Sequence, residues 1–239
     1  MSISDLFRCG KAARLRAELG YSQTGQIIPN SSGGPVGEQA GNGYAELGWT
    51  IGPIIAGRNY SPGMDPFTIN GSFEFPVGYR TATPELYRHV PSVHYVTRSA
   101  LGMAVGRRMT LRYEIVGEGP FEATEDHNVA PHVYLHFQRR GDNWSGTGLM
   151  AGFRWWSLQG NPVRPGKGEI SVPLTREHWG WVAGDNQGLT ELELDALFID
   201  AVEYAERLGF TFGGPGKGHG VYAFTPGNKF IVESFEIHS

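Results

Sequence analysis

His132, Tyr134, His136 and Gln138 fall on one side of the heptapeptide HVYLHFQ, residues 132–138, and Val133, Leu135 and Phe137 on the other. Such a row could ligate a metal, move a proton, or line a groove for a sugar-like ligand. The apolar side is β-favouring and alternates strictly, which predicts a strand. A strand rises about 3.3 Å per residue, so His132 and His136 stand roughly 13 Å apart. One zinc ion holds its ligands at about 2 Å, so this pair cannot share it. No metal and no cofactor are expected. Calcium stays open, because loop carboxylates and carbonyls can bind it, but no EF-hand-like spacing points to it.

Three further words carry candidate chemistry. GDNWSG sets Asp142, Asn143 and Trp144 at a turn bounded by glycines. FRWWS must send Phe153 and Trp155 to one face of a strand and Arg154 and Trp156 to the other. With the Phe153 face expected in the core, Arg154 and Trp156 are expected outward, as an aromatic and cation pair. GGPGKGHG resembles a phosphate loop only superficially: Lys217 is followed by Gly218, not Ser or Thr, and the chain runs on into VYAF. His219, between two glycines, leaves bare backbone on both sides for a ligand to approach, or else bonds loop carbonyls.

The elements that must hold these residues are mostly strands. The 239 residues include 35 Gly and 15 Pro, a composition of many turns, and 40% hydrophobic residues, enough for one sizeable core. Strand-length alternations recur at 71–77, 91–98, 107–117, 131–139, 149–157, 168–173, 208–213, 220–224 and 229–237. They predict an all-β, two-layer antiparallel sandwich of jelly-roll type. One helix is expected near 191–207. Thr190 and Glu193 form a capping box, Leu194, Leu197, Phe198, Ala201, Ala205 and Leu208 make the apolar stripe, and Gly209 is placed to end it.

Residues 66–239 are read as the sandwich and 1–65 as an arm or wrapping segment, since 20–65 is rich in Gly, Pro, Ser and Asn with short apolar islands at Ile27, Trp49 and Ile54. One or two helical turns are expected around Ala12–Leu19. Cys9 is the only cysteine, so no intramolecular disulfide is available. The net charge of -4 argues against nucleic acid as a partner. No apolar run is long enough to span a membrane. The amino terminus lacks the apolar core of a secretory signal, which predicts a protein cytoplasmic when made, or one whose signal has been removed. Asn-x-Ser triplets at Asn30, Asn70 and Asn143 would matter only on a secretory route.

The words HVYLHFQRRGDNWSG, FRWWS, SVPLTREHWGWVAG, LGFTFGGPGKGHGVYAF and FIVESFEIHS, spread over about residues 105–239, look like those of little-characterised bacterial and phage proteins. The stretch is also similar, more loosely, to galactose-binding-like β-sandwiches, whose last strand often reads like KFIVESFEI. That resemblance implies a sandwich that commonly serves as a carbohydrate-binding module.

The residues are chemically suited to such a role. Sugar rings offer apolar C–H faces and a fringe of hydroxyls, so a site needs a flat aromatic surface and a few orienting polar groups. Trp144, with Asp142 beside it, either stacks on a ligand or folds back on its own sandwich. Arg154 either cradles a sugar or acidic glycan with Trp156 or stacks on that indole to hold a loop. Tyr134 and His136 join them if strands 131–139 and 149–157 are neighbours. The expected site is therefore Trp144, Asp142, Arg154, Trp156, Tyr134, His136 and His219, and the expected partner a cell-surface or extracellular glycan.

Two other classes compete. A polysaccharide lyase on a jelly-roll scaffold could use Tyr134, His136, Gln138 and Arg154, but no lyase motif is evident. A glycosidase needs two carboxyl groups about 5 to 9 Å apart, and sequence cannot bring any two of Glu114, Glu122, Asp126 and Asp142 together. A Ser-His-Asp hydrolase lacks its Gly-x-Ser-x-Gly elbow. The last class is structural: a spike, fibre or decoration subunit of a phage or phage-like particle, virion-associated and docked on sister subunits through residues 1–65.

Overall fold

The computed structural model describes residues 48–64, 67–68, 73–76, 92–124, 128–182, 189–214 and 219–239. Its strands, in chain order, are β1 Trp49–Gly52, β2 Ile54–Ile55, β3 Arg58–Asn59, β4 Phe67–Thr68, β5 Phe73–Pro76, β6 Tyr95–Ser99, β7 Arg108–Val116, β8 Phe121–Ala123, β9 His132–Arg139, β10 Arg154–Pro162, β11 Gly166–Pro173, β12 Trp179–Trp181, β13 Ala205–Gly213, β14 Val221–Ala223 and β15 Lys229–His238. Helix α1 spans Glu191–Glu203. The chain forms an all-β sandwich. One sheet has seven strands in the order β12-β10-β9-β13-β6-β1-β4, and the other has four in the order β11-β7-β15-β5. Two short ribbons, β14-β8 and β2-β3, accompany them.

Alternation along each strand decides what the two sheets bury. Trp49, Ile51, Val96, Leu135, Phe137, Trp155, Phe210 and Phe212 face inward from the large sheet. Met109, Leu111, Tyr113, Ile115, Ile170, Val172 and Phe230 answer from the small one. Rings meet across the layers: Trp49 lies edge-on to Phe235 at 5.2 Å, and Phe210 stacks on Phe230 at 5.3 Å. Aromatic pairs of this kind add about 0.5–1.5 kcal/mol beyond the area they bury.

Helix α1 begins where the sequence places it, with both halves of the Thr190–Glu193 capping box made. It closes the core at the β9-β10 end, Phe198 lying edge-on to Trp155 at 5.2 Å and to Phe137 at 5.7 Å. The helix ends at Glu203, before Ala205 and Leu208, which belong to β13. Gly209 is not its cap. It lies inside β13, between His136 and Thr97, where an added Cβ would come within 2.1 Å of the Val96 carbonyl oxygen. Close backbone approach, not a helix end, is what requires glycine there.

Two local readings change at strand ends. Phe153 belongs to a 3-10 turn, Gly148–Phe153, and β10 starts only at Arg154. Within the expected arm, Trp49–Gly52 is an interior strand of the large sheet, paired on both sides by β6 and β4. Alternating Trp49 and Ile51 are buried in the core, and this outweighs the glycine-rich composition around them. The helical turns expected near Ala12–Leu19, and Asn30, Asn70, Asp126 and Lys217, lie outside the described residues.

Candidate functional site

The outer face of the large sheet carries polar and aromatic side chains instead of apolar ones. Antiparallel register sets Arg154 opposite Gln138 and Trp156 opposite His136, so β10 and β9 are neighbours as the groove reading requires. On the other flank of β9, β13 places Gly209 opposite His136 and Thr211 opposite Tyr134, and β6 then places Tyr95 opposite Thr211. Because Gly209 and Thr211 are small on this face, side chains of β6 and β9 reach each other across the intervening strand. The rings of Tyr95 and His136 meet edge to face with centroids 4.7 Å apart.

The turn after β9 folds over this face. Asp142 accepts the Trp144 backbone N–H at 2.9 Å through one carboxylate oxygen. Its other oxygen accepts from the Gln138 amide at 2.9 Å and lies 2.7 Å from Arg154 Nε. The loop is thus tied to both β9 and β10. Trp144 takes a left-handed backbone at φ 65°, between Gly141 and Gly146, also left-handed. At Gly146 an added Cβ would clash with Val182 at 2.8 Å. This geometry turns the indole back: the Arg154 guanidinium lies 4.8 Å from its ring, and Tyr95 meets it edge to face at 5.5 Å.

Trp144 folds back over its own sandwich, with the indole half-buried. Arg154 and Trp156 lie on the face opposite Trp155, as alternation requires, but they do not stand in solvent: they are 8% and 7% exposed. Asp142 and the Trp144 turn cover them. Trp156 donates its indole N–H to the Tyr95 hydroxyl at 3.1 Å, so neither its ring nor Arg154 projects outward as a free pair.

Burial sets the electrostatics. His136 is fully buried and its pKa is pushed down to about 3, first by loss of solvation and then by the Arg154 charge. Neutral, it points Nδ1 at the Trp155 carbonyl at 3.2 Å, which leaves Nε2 as a lone-pair acceptor. That Nε2 has no hydrogen-bond partner among the described residues, and neither has Gln138 Oε1. His94 is likewise held well below the ordinary histidine range, by burial first and then by His219, His136 and Arg154. Its Nε2 accepts the His219 backbone N–H at 2.7 Å, and the two rings stack at 5.6 Å. Burial raises the Tyr95 phenol and the Asp142 carboxyl, the latter against the pull of Arg154 and three hydrogen bonds.

The structure therefore gathers Asp142, Trp144, Arg154, Trp156 and His136, and links His219 to them through His94. Tyr134 is set apart, its ring over Gly160 and beside that of His132 at 5.9 Å. Tyr95 and His94 are not among the residues expected at the site, although SVHYVTRS alternates as a strand. Their face could not be known until β13 was seen to lie between β6 and β9. The other carboxylates sit elsewhere: Glu114 on β7 in the small sheet, and Glu122 on β8, bonded to the Tyr222 hydroxyl. Among the described residues no group of three or more His, Cys, Asp and Glu could hold a metal ion. No helix among the described residues is long and apolar enough to cross a membrane. No family model, curated protein or solved structure matches the chain.

Proposed function

We propose that the chain binds a carbohydrate on the outer face of its seven-stranded sheet, without transforming it. The observation that carries this reading is the Trp144 indole, half-buried over a sheet face made of Tyr95, His136, Gln138, Arg154 and Trp156. A flat aromatic surface beside orienting polar groups suits the C–H faces and hydroxyl fringe of a sugar. A ring reaches the sheet face when the half-buried Trp144 side chain swings off Arg154 and Tyr95 while Asp142 keeps its contacts with Gln138 and Arg154. The test is a glycan array with wild type and a folded Trp144→Ala variant, with product analysis of every hit. Binding that is lost in the variant, without product, supports recognition. Silence across a broad array removes the reading.

A second reading, a polysaccharide-active enzyme, has one observation in its favour. The His136 Nε2 has no partner among the described residues and its ring lies against that of Tyr95 at 4.7 Å, two groups of the kind that move protons, although burial makes the imidazole a weak base and the phenol a weak acid. Released product would establish it. The resemblance of residues 105–239 supports a setting on a phage-like particle and a galactose-binding-like ancestry. Self-association that depends on residues 1–47 would support the particle setting.

A further inference from the structure

The buried face holds two acceptors without donors and one buried cation, Arg154, whose charge Asp142 matches although its Nε–H makes no hydrogen bond. His136 directs Nδ1 to a backbone carbonyl and keeps Nε2 bare, while Gln138 gives its amide N–H to Asp142 and keeps Oε1 bare. The two residues are next neighbours on one face of β9, their Cα atoms roughly 7 Å apart. Buried polar atoms are nearly always paired, so two bare acceptors on one face describe what a ligand must bring: donors. The Arg154 guanidinium, beneath the Trp144 ring, is matched by the Asp142 carboxylate at 2.7 Å. Arg207, opposite Gln138 on β13, is half-buried one residue pair beyond His136, at the end of the face.

Resting on the carbohydrate reading, we infer that this site takes a neutral, hydroxyl-rich sugar, two of whose hydroxyls donate to His136 Nε2 and Gln138 Oε1. A uronate or sialylated unit in the same place would press a carboxylate against two lone pairs, beside a cation whose charge is already used. A neutral ring supplies the missing O–H groups and needs no counter-charge. The depressed basicity of His136 fits this role, since it keeps Nε2 an acceptor through the physiological range.

The experiment is calorimetric titration of the full chain with matched tetrasaccharides, neutral gluco- and galacto-oligosaccharides against their uronate counterparts. In parallel, nitrogen NMR of the histidine rings follows His136 Nε2 in the wild type, which needs no variant to fold. The expected result is binding of a neutral member at least about tenfold tighter than its uronate counterpart, with the Nε2 resonance moving upfield as it gains a donor, and weaker binding by His136→Phe. Equal or tighter binding of the uronates would overturn the neutral class and leave carbohydrate recognition standing. Neutral binding with Nε2 unmoved would overturn the assigned acceptors. Absence of binding by every probe would overturn the inference together with the reading on which it rests.

Discussion

Tyr95 and His136 meet edge to face at 4.7 Å although a whole strand, β13, runs between the strands that carry them. The contact exists because β13 presents Gly209 and Thr211 to that face, and it joins β6 to the β9-β10 pair as one continuous polar surface.

Gly209→Ala tests that arrangement directly. The new methyl would meet the Val96 carbonyl at 2.1 Å, backbone that cannot move without opening the β13-β6 ladder. Overpacking of this kind costs about 1–3 kcal/mol or more. A lowered urea midpoint, with the Tyr95–His136 NMR contact weakened, is the expected outcome. A variant as stable as wild type would contradict the close approach.

Asp142→Ala strands Arg154 in a largely buried position and unties the turn that carries Trp144. Breaking a buried pair by removing one partner costs about 3–5 kcal/mol. Adding Arg154→Met should restore part of that loss, because the uncompensated charge goes with it. A double-mutant cycle in denaturant measures the coupling, and additive losses would mean that the pair is not energetically linked.

Stability should fall with acid between about pH 6.5 and 3. His136 titrates at about 3 in the folded chain against an ordinary 6.5, so the unfolded chain binds more protons across that window. His94, lowered by burial, acts in the same direction. Asp142 opposes them, since its raised carboxyl holds a proton more readily when folded, from its ordinary value of 3.8 upward. One histidine contributes a slope of at most about 1.4 kcal/mol per pH unit. Denaturant titrations from pH 4 to 7 should show stability rising with pH and a shallower rise in His136→Gln. A wild type with a flat profile would count against a neutral, buried His136.

Two truncations separate arm from sandwich. Deleting residues 1–60 removes β1, with Trp49 and Ile51 from the core and a ladder from β6, and should abolish cooperative unfolding. Deleting 1–47 leaves every described strand in place and should preserve it. If the particle proposal holds, sedimentation will show the wild type self-associating and the shorter deletion monomeric. A wild type that stays monomeric at high concentration would remove that proposal.

Much of this molecule is legible along the chain because it is local. Period-two alternation marks the strands around Met109–Ile115 and Val133–Phe137, and the Thr190–Glu193 spacing marks a helix start, since each depends on residues within a turn or a pleat of one another. Alternation also puts Arg154 and Trp156 opposite Trp155. It says nothing of what lies above that face, and so the pair reads as exposed when Asp142 and Trp144 in fact cover it.

Strand order is the other quantity that alternation cannot hold. Trp49–Gly52 looks like arm in its glycine-rich surroundings and is core because β6 and β4 flank it. Tyr95 becomes part of the site only because β13, more than a hundred residues later, enters the sheet beside β6 with glycine in the right register. Face and period are properties of a few consecutive residues. Neighbour, cover and burial are contacts between distant segments, and only the folded chain brings those into being.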